Sequence, residues 1–121
     1  MKKNVLIVED DNDSRQTIAM MVEVLGFTPI AYPGGKEALA DLSTLKIDLA
    51  LLDIMMPGMD GYQLLEEMRK IPSCQSIPVI MVTAKDRDSE VLEGYQSGAD
   101  YYITKPFTAK QLEYGIKMFL Q

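Results

Sequence analysis

At 121 residues the chain is long enough to bury a core and too short for two ordinary domains. Its 47% hydrophobic and 25% charged residues exclude a disordered chain, and a net charge of −6 with no Lys/Arg-rich stretch excludes a protein built to grip nucleic-acid phosphates. Lys2-Lys3 precedes only four consecutive apolar residues, too few for a signal-peptide core, and no apolar run reaches membrane-spanning length.

Val5-Leu6-Ile7-Val8 reads as a strand covered on both faces, and Glu9-Asp10-Asp11 follows it. Asp13 is placed to cap a helix, with Gln16 in the capping-box position. Ile18, Met21, Val22 and Leu25 recur at helical spacing, and Gly26 stops the helix. Thr28 to Tyr32 predicts a short second strand whose Pro29 marks a sheet edge. Pro33-Gly34-Gly35 is a turn rather than a phosphate loop, since no G-x-x-x-x-G-K-[ST] pattern exists, and a helix is expected from about Lys36 to Leu45. Ile47 to Leu52 is the third strand, closed by Asp53. Asp60 caps a third helix, with Gln63 at its capping-box position, running to about Ile71. Pro72 to Ser76 forms a loop containing Cys74, the single cysteine, which excludes an internal disulfide and a cysteine metal cluster and is expected to be a reduced cytosolic thiol. Pro78 to Val82 is the fourth strand, closed by Thr83; Asp86 to about Ser97 is a helix ended by Gly98. Tyr101-Tyr102-Ile103 is a short fifth strand, Lys105-Pro106 follows, and Thr108 caps a final helix. The nine methionines are read mainly as core filler.

Strand and helix alternate throughout, without repeat or linker, as one domain over 1–121. Such alternation implies an α/β fold: a doubly wound, five-stranded parallel sheet with five helices on both faces, right-handed crossovers and the flavodoxin-like order 2-1-3-4-5. That order makes the first and third strands neighbours, and ligands of such sheets sit in the crevice outside the strands' carboxyl ends. Glu9, Asp10 and Asp53 are therefore expected to converge, with Thr83 on the strand beside Asp53 and Lys105 one strand further on. A carboxylate at the tip of a buried strand is costly to hold without a charge partner. Acids, a hydroxyl and a lysine at separate strand ends point to a site that binds a divalent cation and receives a phosphoryl group on an aspartate.

Four segments carry a resemblance: Val8-Glu9-Asp10-Asp11, Asp53-Ile54-Met55-Met56-Pro57-Gly58-Met59-Asp60-Gly61, Val82-Thr83-Ala84 and Lys105-Pro106-Phe107. Together, and in this order, they resemble a two-component response-regulator receiver domain, of the single-domain chemotaxis type in size. The resemblance implies that Asp53 accepts a phosphoryl group as a nucleophilic carboxylate. It implies a Mg2+ held by Asp10 and Asp53 directly, by Glu9 mainly through water, and by the Met55 backbone carbonyl. Lys105, Thr83 and the Ala84 N–H would contact the phosphoryl oxygens, and Pro106 would follow a cis bond that helps aim Lys105. The implied donor is a phosphohistidine on a histidine kinase or phosphotransfer protein, and the absence of histidine here fits an acceptor. Thr83 and the strand-five aromatic Tyr102 would act as the switch, altering the surface of the fourth helix, fifth strand and fifth helix, where Tyr95, Phe107 and Tyr114 are further candidates for contact with a downstream protein or output domain. Met55 and Lys85 would tune phosphoryl lifetime. No direct nucleic-acid or membrane contact is expected, and the receiver is not expected to be a turnover enzyme.

Two competing readings differ in named residues. A haloacid-dehalogenase-type phosphatase would carry a second aspartate two residues after its nucleophile, where this chain has Met55, and a cap insertion that is absent. A degenerate docking receiver would have lost acid, threonine or lysine positions, all of which are kept. No output domain is expected after the final helix, which leaves open a stand-alone receiver or a piece of a longer regulator. A dinucleotide site is unsupported, as no G-x-G-x-x-G follows the first strand.

Overall fold

The apolar run at the start of the chain forms the strand β1 (Asn4–Val8), and its side chains divide between two cores. Leu6 and Val8 point to one, Val5 and Ile7 to the other. The same alternation holds in β3 (Leu49–Asp53) and β4 (Val79–Thr83), which is why these segments read as continuous hydrophobic stretches. The structure, a computed structural model, describes residues 2–84 and 98–120. The helix expected at Asp86 to Ser97, with Lys85 and Tyr95, lies outside the described residues.

Among the described residues five strands make one parallel sheet in the order β2-β1-β3-β4-β5, with β2 (Thr28–Tyr32) at an edge and β5 (Tyr101–Thr104) at the other. Helices α2 (Gly35–Leu42) and α3 (Gly61–Met68) pack Ala38, Leu42, Leu64, Leu65 and Met68 on one face. Helices α1 (Asn12–Val24) and α4 (Ala109–Phe119) pack Ile18, Val22, Leu112 and Ile116 on the other. Each fully buried leucine or isoleucine contributes roughly 1.5–3 kcal/mol relative to exposure. Both faces covered and one switch in strand order is the flavodoxin-like arrangement expected from the alternation. None of the described helices is long and apolar enough to cross a membrane.

Local signals explain most boundaries. Asp60 and Thr108 each complete a capping box, with Gln63 and Gln111 respectively. Gly26 ends α1 at φ +97, a conformation that side-chain-bearing residues rarely adopt. Asp13 does not cap α1. Asp11 does, because the chain is still extended there and its carboxylate accepts from the Ser14 N–H at 2.8 Å. Asp13 lies in the first turn, where its charge complements the helix dipole. Helices α2 and α3 stop three residues short of the expected Leu45 and Ile71, because the chain tightens into bonds from Leu45 N to Leu42 O and from Ile71 N to Met68 O. The loop after α3 contains a 3-10 turn, Pro72–Cys74, that buries Cys74 in the core.

Candidate functional site

Parallel pairing brings the ends of β1 and β3 side by side, with Val8 opposite Leu52. Glu9 and Asp10 follow the first and Asp53 ends the second, so three carboxylates from two strands meet at one rim. One oxygen from each of Glu9, Asp10 and Asp53 lies within 4.8 Å of the others. Glu9 is 1% and Asp53 7% exposed, so two of the three charges are withdrawn from water, while Asp10 faces solvent. Thr83, buried at the end of β4, follows Val82, which is the register partner of Asp53. Its carbonyl accepts from the Lys105 N–H at 2.6 Å, tying the chain after β5 to the same rim. The Lys105–Pro106 peptide is cis.

The charges do not balance. The Lys105 ammonium pairs with Glu9 Oε1 and lies 3.7 Å from Asp53 Oδ2, one cation against two buried acids. Burial pushes Glu9 upward, but hydrogen bonds with Asp53, Lys105 and the Asp11 N–H outweigh it and hold Glu9 below the ordinary carboxylate range. Asp53 is pushed up to about 7, first by burial, then by its hydrogen bond to Glu9 and the Glu9 charge. Lys105 and the Met55 N–H, 3.4 Å from Asp53 Oδ1, pull the other way and lose. Asp53 thus holds a proton at a pH where an exposed aspartate would not. Oxygen-only donors, an excess negative charge and access from solvent through Asp10 fit a hard divalent cation. Removing the lysine worsens the imbalance. Lys105→Met is expected to cost about 2 kcal/mol in chelator, the part-exposed site discounting the larger penalty of a fully buried broken pair; urea unfolding measures it, and an unchanged midpoint would show that Lys105 does not stabilise the acids.

Other residues singled out in the sequence fall partly at this rim and partly along β5 and α4. Ala84 is exposed beside Thr83, and the Met55 side chain is 67% exposed, leaving the mouth of the site open on that side. Ala84, Lys105, Pro106 and Phe107 border a depression whose other wall is α1, with Ser14, Thr17 and Met21. Tyr114 is exposed on α4 and its ring lies 6.5 Å from that of Tyr101. Tyr102 is half-buried, and its hydroxyl bonds that of Tyr62 at the start of α3. Tyr62 was not legible as its partner, since the two are 40 positions apart. Arg15 was also missed: its guanidinium donates to the Glu9 carbonyl at 2.9 Å, with the Asp10 carbonyl at 3.4 Å, and to Asn12 Oδ1. A cation near a helix N-terminus, against the dipole, was the available signal.

Comparison with known proteins identifies the family and the fold. A family model described as the response regulator receiver domain matches residues 5–117. The chain is 38% identical over 118 residues to the probable transcriptional regulator ycf27 of Cyanidium caldarium, covering 98% of this chain and 46% of that protein. The chain spans about half the length of the curated relatives it matches. Its fold superposes on the Vibrio cholerae chemotaxis protein CheY4 with a TM-score of 0.95 at 26% identity, covering 99% of this chain and 100% of that one. It also superposes on the receiver domain of the sensor histidine kinase PA1611 of Pseudomonas aeruginosa, with a TM-score of 0.90 at 25% identity and 98% of each chain covered. That protein holds a magnesium ion in its active-site cleft.

Proposed function

The chain belongs to the response regulator receiver domain family, the receivers of two-component signalling, and from that premise we propose that Asp53 is its phosphoacceptor and that residues 1–121 act as one switch unit. The observation that carries this is the meeting of Glu9, Asp10 and Asp53 within 4.8 Å with Lys105 against two of them.

The donor is a phosphohistidine on a histidine kinase or phosphotransfer protein in the cytoplasm. An Asp53 carboxylate oxygen attacks phosphorus, the P–N bond breaks, and the imidazole leaves with the electron pair. Asp53 must be ionised to attack. Glu9, Asp10 and Asp53, with the Met55 carbonyl, would hold Mg2+, which when bound favours the ionised carboxylate and offsets phosphoryl charge. Lys105, paired with Glu9 and 3.7 Å from Asp53 Oδ2, would swing its ammonium onto a phosphoryl oxygen. The Thr83 hydroxyl and the Ala84 N–H supply further donors. The chain thereby catalyses its own phosphorylation and hydrolysis without turning over a separate substrate. The signal leaves through Thr83 and Tyr102, whose reorientation alters the β5 and α4 surface offered to a downstream protein or output domain.

Incubation with Mg2+ and acetyl phosphate, read by intact mass, tests the assignment. A labile gain of one phosphoryl group is expected, absent in Asp53→Asn and in chelator. A gain that survives in Asp53→Asn would move the acceptor elsewhere, and no gain despite bound Mg2+ would favour a docking role.

A further inference from the structure

We propose that Arg15 is a positioning residue of the cation site, acting on Asp10 through the backbone; this rests on the reading that the three acids hold Mg2+. The ladder of β1 extends only as far as the Glu9 N–H, which donates to Tyr32 O at 3.1 Å. Asp10 is the first residue beyond it and is exposed, so sheet pairing does not fix its direction. The carbonyls of Glu9 and Asp10 belong to the two peptide planes flanking the Asp10 Cα. Arg15 Nη1 donates to the first at 2.9 Å and reaches the second at 3.4 Å, while Nη2 is held by Asn12 Oδ1. One guanidinium thus restrains both backbone dihedrals of Asp10, and with them the direction of its carboxylate. The planar fork of arginine suits this task, and the single ammonium of lysine does not.

Arg15 is half-buried in the first turns of α1, where the helix dipole disfavours a cation and where its charge opposes a second cation bound nearby. Charge alone therefore predicts that removing Arg15 tightens Mg2+. Positioning predicts the reverse, and partners that orient metal ligands are typically worth ~10–100-fold in affinity.

Calorimetric Mg2+ titrations of wild type, Arg15→Met and Arg15→Lys separate the two. We expect Arg15→Met to bind about tenfold more weakly, toward the low end of that range, and Arg15→Lys to bind several-fold more weakly although its charge is kept. Faster amide exchange at Asp10 and Asp11 in metal-free Arg15→Met, with an unchanged far-ultraviolet spectrum, would accompany this and needs no metal. Affinity unchanged or tightened in Arg15→Met overturns the positioning role and leaves the cation site standing. No Mg2+ binding by wild type at millimolar concentration overturns both.

Discussion

Gly61→Ala is expected to melt about 5–15 °C below wild type and to accept phosphoryl groups far more slowly. A Cβ at position 61 would lie 2.5 Å from the Asp53 carbonyl oxygen, 3.0 Å from Ile54 Cα and 3.1 Å from the Asp53 carbonyl carbon. All three are backbone atoms at the end of a central strand, so no side chain can turn aside. The Gly61 N–H donates to Ile54 O at 3.0 Å, which holds the helix start against the strand. Overpacking of this kind costs about 1–3 kcal/mol, and for a domain of this size each kcal/mol is worth roughly 3–6 °C. The atoms pushed are those of the proposed nucleophile, and small misplacement at a reacting centre can cost ~100-fold in rate. Gly35→Ala is the control: its Cβ would meet the Met59 thioether at 2.8 Å, a flexible side-chain end that can swing away. Thermal melts and acetyl phosphate rates of both variants decide the matter; equal, mild effects would mean that the close approach at Gly61 is not a constraint.

What the sequence made legible followed from periodicity and order. Leu6, Ala50 and Met81 alternate with Ile7, Leu51 and Ile80 between two cores, so each strand reads as apolar throughout. Strand order then gave the convergence of Glu9, Asp10 and Asp53 without any side-chain information. The features that escaped depend on where the backbone turns. Asp11 and Asp13 are equally good capping residues, and only the extended backbone at Asp11 selects it. Arg15 reads as a surface cation until its direction over the turn is known. Tyr102 reads as the strand-five switch aromatic, but its bond to the Tyr62 hydroxyl escapes, because the two residues lie 40 positions apart and nothing in their spacing joins them. Gly61 stood in the recognised segment, but its proximity to Asp53 O is a property of space and not of spacing.

In chelator at pH 8, Asp53→Asn is expected to be more stable than wild type by about 2–3 kcal/mol, a gain that fades as the pH is lowered to 4. The sign follows from the shift of Asp53 from its ordinary value of 3.8 up to about 7. Below the unfolded value both states are protonated and the aspartate costs nothing. Between the two values the unfolded chain releases a proton that the folded chain keeps, so wild-type stability falls by roughly 1.4 kcal/mol per pH unit. Above the folded value the loss is constant. Taken whole, the window would give about 4 kcal/mol; Glu9, held low partly by the hydrogen bond with Asp53, returns part of it. Asparagine keeps the shape and a donor for Glu9 and carries no charge. Adding Mg2+ should then raise the stability of wild type more than that of the variant, because only wild type offers the third carboxylate. Urea midpoints at pH 4, 6 and 8, with chelator and with Mg2+, measure all of this. Equal stability at pH 8, or a gain independent of pH, would show that Asp53 is not held against its charge. The expected pattern instead identifies a buried acid retained at a cost to folding, which the acceptor role explains and core packing does not.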